Sequence, residues 1–137
     1  MSDSLFADAV FVIALINTRD QYHAVAQDLA SQFAGRHLVI TDAVLLEIGN
    51  GLASGFKVEA AEVIDHFLTS ADVEVVRLFP DLFDDALELY RTHLDKKWGL
   101  VDCLSFVVMR ERGMIKALTF DHHFVQAGFE ALMRNDG

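Results

Sequence analysis

Short, almost wholly apolar runs alternate along the chain with longer segments whose apolar residues recur every three or four positions. The runs lie near residues 5–8, 37–41, 73–78 and 116–120, and their length and β-branched content indicate buried strands. The longer segments have the spacing of helices that bury one face. This recurring strand–helix order predicts a three-layer α/β/α domain with a short, mainly parallel central sheet.

Capping and stop signals set the expected bounds of the helices. Asp42 is predicted to cap the helix that follows the second strand, and Gly113 to end the most apolar helix. In the helix after Pro80, Phe83 and Tyr90 are expected to be buried with their apolar neighbours. The predicted helices span residues 9–17, 20–34, 43–55, 57–70, 81–94 and 102–113, and a short edge strand is expected within 128–133.

The composition describes a chain that can form a core of its own. Of 137 residues, 53% are hydrophobic, which predicts one domain over residues 1–137. We interpret the apolar run from Leu5 to Ile16 as core and not as a signal peptide, because no Lys or Arg precedes it and Asp8 lies inside it. No membrane segment is predicted. Cys103, the only cysteine, indicates a reducing cytoplasm as the setting.

The net charge of −10 disfavours non-specific attraction to nucleic acid. Non-specific attraction to nucleic acid depends on Lys and Arg contacts to phosphate, and an acidic chain repels that backbone. Any nucleic-acid substrate would therefore have to be held locally, through a metal ion or a partner subunit. A glycine-rich phosphate-binding loop is also missing from the sequence, which makes a nucleotide-binding enzyme of the P-loop or dinucleotide class improbable.

Acidic residues stand at the ends of the predicted elements. Asp8 and Asp121 each close a predicted strand, Asp102 begins a helix, and Glu47 follows the second strand by about one helical turn. The carboxyl ends of parallel strands share one edge of a sheet, so these four side chains are expected to converge there. An isolated Asp at a helix start is also an ordinary N-cap, which is the structural alternative for Asp8.

Carboxylates that converge need a compensating charge or a proton. Two unit charges about 4 Å apart repel by roughly 4 kcal/mol at an effective dielectric near 20. Either one acid stays protonated or a hard divalent cation lies between them. Oxygen-only ligands favour Mg²⁺ or Mn²⁺ over zinc, and such an ion suits the hydrolysis of a phosphodiester bond.

Four motifs that contain these acids resemble the PIN-domain family, in particular its stand-alone VapC-like toxin ribonucleases. The resemblance covers nearly the whole chain, with the motifs in the family's order and spacing. They are Phe6-Ala-Asp8, Glu47-Ile-Gly-Asn50-Gly-Leu52, Trp98-Gly-Leu-Val-Asp102-Cys-Leu-Ser-Phe106 and Leu118-Thr-Phe-Asp121-His-His-Phe124.

The resemblance implies a Mg²⁺- or Mn²⁺-dependent endoribonuclease. It makes Asp8, Glu47, Asp102 and Asp121 the catalytic metal site, with Asp8 and Asp102 as direct ligands and the other two acting partly through water. It also implies an RNA substrate, a cognate antitoxin protein and a homodimer. The RNA groove would draw on Arg19, Arg36, Lys96, Lys97 and Trp98.

The chain departs from the family in one respect. The family usually has small hydroxyl or amide residues directly after its first Asp, and this chain has Ala9 and Val10 there. Loss of that hydrogen bond would weaken the orientation of Asp8 or of substrate, unless Thr41 or Thr119 supplies it. The departure keeps open an alternative function, a catalytically weak or inactive PIN-like module that binds RNA or protein.

Two neighbouring histidines, His122 and His123, follow the last acid. They suggest a transition-metal site, but adjacent side chains point in different directions. A polar loop is the simpler interpretation, and the histidines are not counted among the predicted site residues.

Overall fold

The computed structural model describes residues 3–134, and its sheet is parallel throughout. All five described strands are short, the longest having four residues. The strands are β1 (Leu5–Ala7), β2 (Leu38–Thr41), β3 (Val73–Val76), β4 (Lys116–Leu118) and β5 (Glu130–Ala131).

Seven helices in the described part of the chain connect these strands. They are α1 (Ala9–Ile16), α2 (His23–Gln32), α3 (Asp42–Gly51), α4 (Lys57–Thr69), α5 (Pro80–Thr92), α6 (Leu100–Glu111) and α7 (His122–Gln126). No helix within residues 3–134 has the length and apolar character needed to cross a bilayer.

The order of the strands creates a switch point at the centre of the sheet. The spatial order is β3-β2-β1-β4-β5, so the chain moves outward from β1 to β3 and then crosses back to the far side of β1. Phe6 is in register with Val39 of β2 on one side and with Ala117 of β4 on the other. The crossover direction therefore reverses between β1 and β4, and this is where ligands bind in open α/β sheets.

The helices form two groups that cover the two faces of the sheet. Helix α1 contacts α2 and α3, and α3 contacts α4, while α5 packs on α6 and α6 contacts α7. Right-handed crossovers place the helices of the outward path on one face and those of the return path on the other. The predicted three-layer α/β/α architecture is confirmed.

An aromatic cluster attaches the last elements to helix α6. The fully buried ring of Phe106 meets Phe124 edge-on at 5.0 Å and lies 5.6 Å from Phe129. Trp98 meets the same ring at 5.1 Å, and its indole N–H donates to Gln126 at 3.0 Å. The cluster therefore fixes α7, and with it the segment that carries Asp121, against the start of α6.

Several predicted helix bounds are corrected by the structure. Helix α2 begins at His23 instead of residue 20, because Asp20 accepts a hydrogen bond from the Tyr22 backbone N–H and holds a turn there. Helix α6 begins at Leu100, ahead of the predicted start at residue 102, since Gly99 is its N-cap. Residue 42 is not a cap: Thr41 caps α3, and its hydroxyl accepts from Val44 N–H at 3.1 Å.

Two further predictions are wrong. Phe83 and Tyr90, expected in the core, are 40% and 44% exposed, because α5 buries a narrow face through Leu82 and Ala86. Residues 122–126 form helix α7 instead of a polar loop, because the Asp121 carboxylate caps its start.

Candidate functional site

All four predicted acids lie at the carboxyl edge of the sheet. Asp8 directly follows β1 and caps α1, and Asp121 follows β4 by three residues and caps α7. Asp102 is the third residue of α6, and Glu47 lies in the middle of α3. They line one open pocket of about 350 Å³ together with Asn50, which shares the helix face of Glu47. The predicted convergence of the four side chains is therefore observed.

Asp8 is the most buried of these acids, with 7% of its surface exposed. Its Oδ1 accepts from the Ala9 backbone N–H at 2.9 Å, and its Oδ2 accepts from the Thr119 hydroxyl at 2.8 Å. Thr119, and not Thr41, thus supplies the hydrogen bond that Ala9 and Val10 cannot supply with their side chains. Asp8 is also the N-cap of α1, so the structural alternative is observed for a residue that also lines the pocket.

The hydroxyl of Thr119 also connects Asp8 to Asp121. Its oxygen accepts from the Asp121 backbone N–H at 3.0 Å while its proton is donated to Asp8. Thr119 is fully buried, and its contact with Asp8 is shielded from water. The ends of β1 and β4 are therefore linked by one side chain.

Asp102 and Asp121 share a third neighbour, His123, which the sequence interpretation assigned to a loop. The His123 backbone N–H donates to Asp121 Oδ1 at 2.9 Å, and its ring Nδ1 lies 2.9 Å from Asp102 Oδ2. Asp102 Oδ2 also accepts from Gly99 N–H at 3.0 Å. The sequence contained one signal for this placement that the interpretation missed. An N-cap Asp accepts from the backbone N–H two residues later, which places His123 beside Asp121.

Burial and mutual repulsion alter the protonation of the cluster. Loss of hydration raises the pKa of Asp8 from 3.8 to about 7, and the charges of Glu47 and Asp102 add to this, against the opposing bonds from Thr119 and Ala9. The pKa of Glu47 is raised too, first by partial desolvation and then by Asp102 and Asp121. Glu47 lies at the exposed rim, so water moderates this second shift.

The donor atoms of the pocket suit a hard divalent cation. Its described lining contains four carboxylates and the amide of Asn50, and no lysine or arginine. Carboxylate oxygens of Asp102 and Asp121 lie within 4.8 Å of each other, close enough to share an ion. Burial chiefly raises the pKa of Asp8, and the neighbouring charges of Glu47 and Asp102 raise it further, so a cation placed here would meet carboxylates that no lysine or arginine of the lining neutralises. The residues present therefore fit a bound metal ion.

The residues predicted to contact RNA are only partly near this pocket. Trp98 is buried in the aromatic cluster, and Arg36 precedes β2, at the opposite edge of the sheet. Arg19 is exposed in the turn before Tyr22, whose ring stacks at 4.1 Å on Phe120, just beyond β4.

Lys96 and Lys97 lie in the loop before α6, which leads into Asp102. Lys97 is exposed, and the Lys96 ammonium lies 3.5 Å from the Asp95 carboxylate. These two lysines and Arg19 are therefore the cations of the predicted set that remain on the site side of the sheet.

Comparison with known proteins agrees with this architecture. The PIN domain family model matches residues 5–130. The 23S rRNA-specific endonuclease VapC20 of Mycobacterium tuberculosis is 32% identical over 127 residues, which cover 91% of this chain and 95% of the relative. This chain belongs to the PIN-domain family, whose members are nucleases that act on phosphodiester bonds, and the resemblance to its VapC-like members is confirmed.

Solved structures show the same fold. The crystal structure of Mycobacterium tuberculosis VapC20, described as a toxin that cleaves the sarcin-ricin loop, superposes with a TM-score of 0.82 at 30% identity, covering 91% of this chain and 95% of that one. VapBC2 of Rickettsia felis, bound to a DNA fragment from its promoter, superposes with a TM-score of 0.63 at 18% identity, covering 93% and 96%. This second match supports the fold alone.

The raised pKa of Asp8 predicts an unusual pH dependence of stability in metal-free protein. The folded state keeps the Asp8 proton that the unfolded chain releases near pH 3.8, so the free energy of unfolding falls as pH rises from about 4 to about 7. A pKa shift of this size lowers the free energy of unfolding by on the order of 4 kcal/mol above pH 7. Asp8→Asn removes the titrating group, so the variant should gain stability over wild type as pH rises.

Urea unfolding in EDTA between pH 4 and 8.5 measures this difference. Asp84→Asn, a change of the same type at an exposed position of α5, is the matched control and should follow wild type at every pH. Parallel pH profiles for wild type and Asp8→Asn would show that the folded state does not raise the pKa of Asp8.

Proposed function

We propose that this chain is a Mg²⁺- or Mn²⁺-dependent endoribonuclease and the toxin of a toxin–antitoxin pair. The observation that carries the proposal is the convergence of four carboxylates, unopposed by cationic side chains in their pocket, at the switch point of a PIN-domain sheet. The likeness of nearly the whole chain to an rRNA endonuclease supports the same reaction.

In this proposal Asp8 and Asp102 bind the ion directly, and Glu47 and Asp121 act partly through water. A bound ion would supply Lewis-acid chemistry, holding a phosphate oxygen and making water a stronger nucleophile. Burial, more than the charges of Glu47 and Asp102, raises the pKa of Asp8 to about 7, so Asp8 would give up its proton near neutral pH when it binds a cation.

The chain's own groups would prepare the site before substrate arrives. The Ala9 N–H and the Thr119 hydroxyl fix both oxygens of Asp8, and Gly99 N–H fixes one oxygen of Asp102. Groups held in this way need little reorganisation during the reaction. Glu47, exposed at the rim of the pocket, would take a proton from attacking water.

The substrate we propose is a structured loop of ribosomal RNA. The VapC20 relative is named for 23S rRNA, and its crystal structure is described as that of a sarcin-ricin loop cleaving toxin. Proteins read RNA sequence mainly in loops and bulges, whose nucleotides can be splayed into an open pocket. With a net charge of −10 and only a few cations beside the site, this chain would depend on loop shape more than on general attraction to phosphate.

Cleavage of rRNA by purified chain, with Mg²⁺ or Mn²⁺ and with EDTA, tests the proposal. Asp102→Asn should lower the cleavage rate by more than the roughly 10–100-fold that loss of a supporting residue typically costs. Asp84→Asn, exposed on α5, is the control and should cleave like wild type. Cleavage that persists in EDTA or in Asp102→Asn would contradict a metal nuclease centred on these acids. A folded, metal-binding wild type without cleavage would favour the inactive binding module.

We also propose that the chain forms a homodimer through helix α5. Phe83 and Tyr90 are 40% and 44% exposed, and their spacing of seven residues places them on one side of the helix. Phe79, the N-cap residue that precedes the helix, is 51% exposed. Exposed aromatic side chains grouped in this way are typical of protein interfaces. The acids of the same helix, Asp84 and Asp85, lie between these positions in sequence and keep the other side polar.

Sedimentation at high micromolar concentration tests the dimer. Wild type should sediment as a dimer and Phe83→Asp as a monomer, because a buried unpaired carboxylate opposes association. Val58→Asp, equally disruptive in chemistry but on helix α4, should leave the dimer intact. A strictly monomeric wild type would contradict the proposal.

A cognate antitoxin in the cytoplasm completes the proposed function. The net charge of −10 and the acidic pocket are complementary to a small basic protein. The crystal structure of VapC20 that this chain resembles is described as that of a toxin, which supports an antitoxin partner. A gene for a small basic protein should lie beside the gene for this chain, and a gene neighbourhood without one would weaken the toxin assignment but leave the nuclease.

A further inference from the structure

The two histidines at the start of α7 have different surroundings. His122 is exposed, whereas His123 is partly buried against the acids, with 29% of its side chain accessible. The ring Nδ1 of His123 lies 2.9 Å from Asp102 Oδ2 and 3.5 Å from Asp121 Oδ1. Two residues of the same type, adjacent in sequence, therefore offer one candidate for a role in the site and one matched control.

The contact with His123 determines which oxygen of Asp102 is free. Asp102 Oδ2 accepts from Gly99 N–H at 3.0 Å and from His123 Nδ1 at 2.9 Å, so two donors of the chain occupy this oxygen. A carboxylate oxygen accepts, so Nδ1 carries the proton in this contact. The carboxylate is thereby prevented from rotating, and its other oxygen, Oδ1, remains available to a ligand in the pocket.

His123 also joins two acids that come from distant parts of the chain. Its backbone N–H holds Asp121 Oδ1 at 2.9 Å, while its ring holds Asp102, which lies 21 residues earlier on a different helix. The distance between the two carboxylates therefore depends on the rotamer of one side chain. Hydrogen bonds of this kind to metal-binding carboxylates are a general means of fixing ligand geometry.

We propose that His123 is a positioning residue of the metal site, holding Asp102 so that its Oδ1 faces a divalent cation. The inference rests on the proposed function in one respect, that the acids bind a metal ion. It assigns His123 no contact with the ion itself, and it gives His122 no part in the site.

Calorimetric titration with Mn²⁺ of the full chain and three variants tests this role. His123→Ala removes the ring donor and should weaken Mn²⁺ binding by roughly 10–100-fold. His123→Asn retains an N–H donor at the δ position and should recover affinity to within a few-fold of wild type. His122→Ala should bind Mn²⁺ like wild type, and thermal unfolding of each variant reports whether it is folded.

Electron spin echo spectroscopy of the Mn²⁺-loaded wild type separates positioning from direct ligation. Positioning predicts no nitrogen bonded directly to Mn²⁺, and a directly bonded nitrogen would overturn it. Wild-type affinity in folded His123→Ala would overturn the proposal, as would a folded His123→Asn variant with affinity far below that of His122→Ala. If His123→Ala does not fold, the Asn variant alone decides.

The outcome for His123 can be told apart from the outcome for the proposed function. A wild type that cleaves RNA only with metal, and a His123→Ala variant with unchanged affinity, would refute the role of His123 and keep the nuclease. A wild type that binds no Mn²⁺ would overturn the positioning role and remove the metal from the proposed mechanism as well.

Discussion

The geometry of the site depends on the buried hydroxyl of Thr119. It donates to Asp8 and accepts from the Asp121 backbone, so it joins the segment after β1 to the segment after β4. Beyond Asp121 the hydrogen bonds continue through His123 to Asp102 and Gly99. Three acids from three distant segments are thus held by one continuous series of donors. No cationic side chain in the pocket lining described here offsets the repulsion among these carboxylates, so the chain's own hydrogen bonds hold them in place.

The sheet explains why these segments meet. Because β1 lies between β2 and β4, and the crossover direction reverses there, the residues after β1 and β4 are neighbours that no helix connection covers. The aromatic cluster around Phe106 fixes α7 and the start of α6 at the same edge. In this topology the residues that cap α1 and α7, Asp8 and Asp121, also line the pocket. A cap can also face the pocket, because capping engages only part of a carboxylate.

Much of this could be predicted from the sequence, for identifiable reasons. Short apolar runs with helical segments between them define a parallel sheet, and acids placed directly after such runs must share its carboxyl edge. Asp8, Glu47, Asp102 and Asp121 were therefore predictable as neighbours. The identity of the residue that compensates for Ala9 and Val10 was not, because Thr41 and Thr119 both lie where a buried strand ends, and only the fold shows that Thr41 caps α3.

The errors have a common physical origin, which is that burial depends on tertiary contacts. Trp98 was interpreted as a surface aromatic beside two lysines, but it packs on Phe106. Phe83 and Tyr90 fit a helical stripe and still lie outside the core. His123 was dismissed because adjacent side chains diverge, and that divergence is the reason it, and not His122, meets Asp102.

The central claim is that these four carboxylates bind a divalent cation. Anomalous X-ray scattering from crystals soaked in Mn²⁺ tests it most directly. The account predicts a peak in the pocket within about 2.0–2.2 Å of carboxylate oxygens of Asp8 and Asp102, close to the distance at which hard divalent ions of this size bind oxygen. A pocket without a peak at saturating Mn²⁺, or a peak bound elsewhere on the chain, would contradict it.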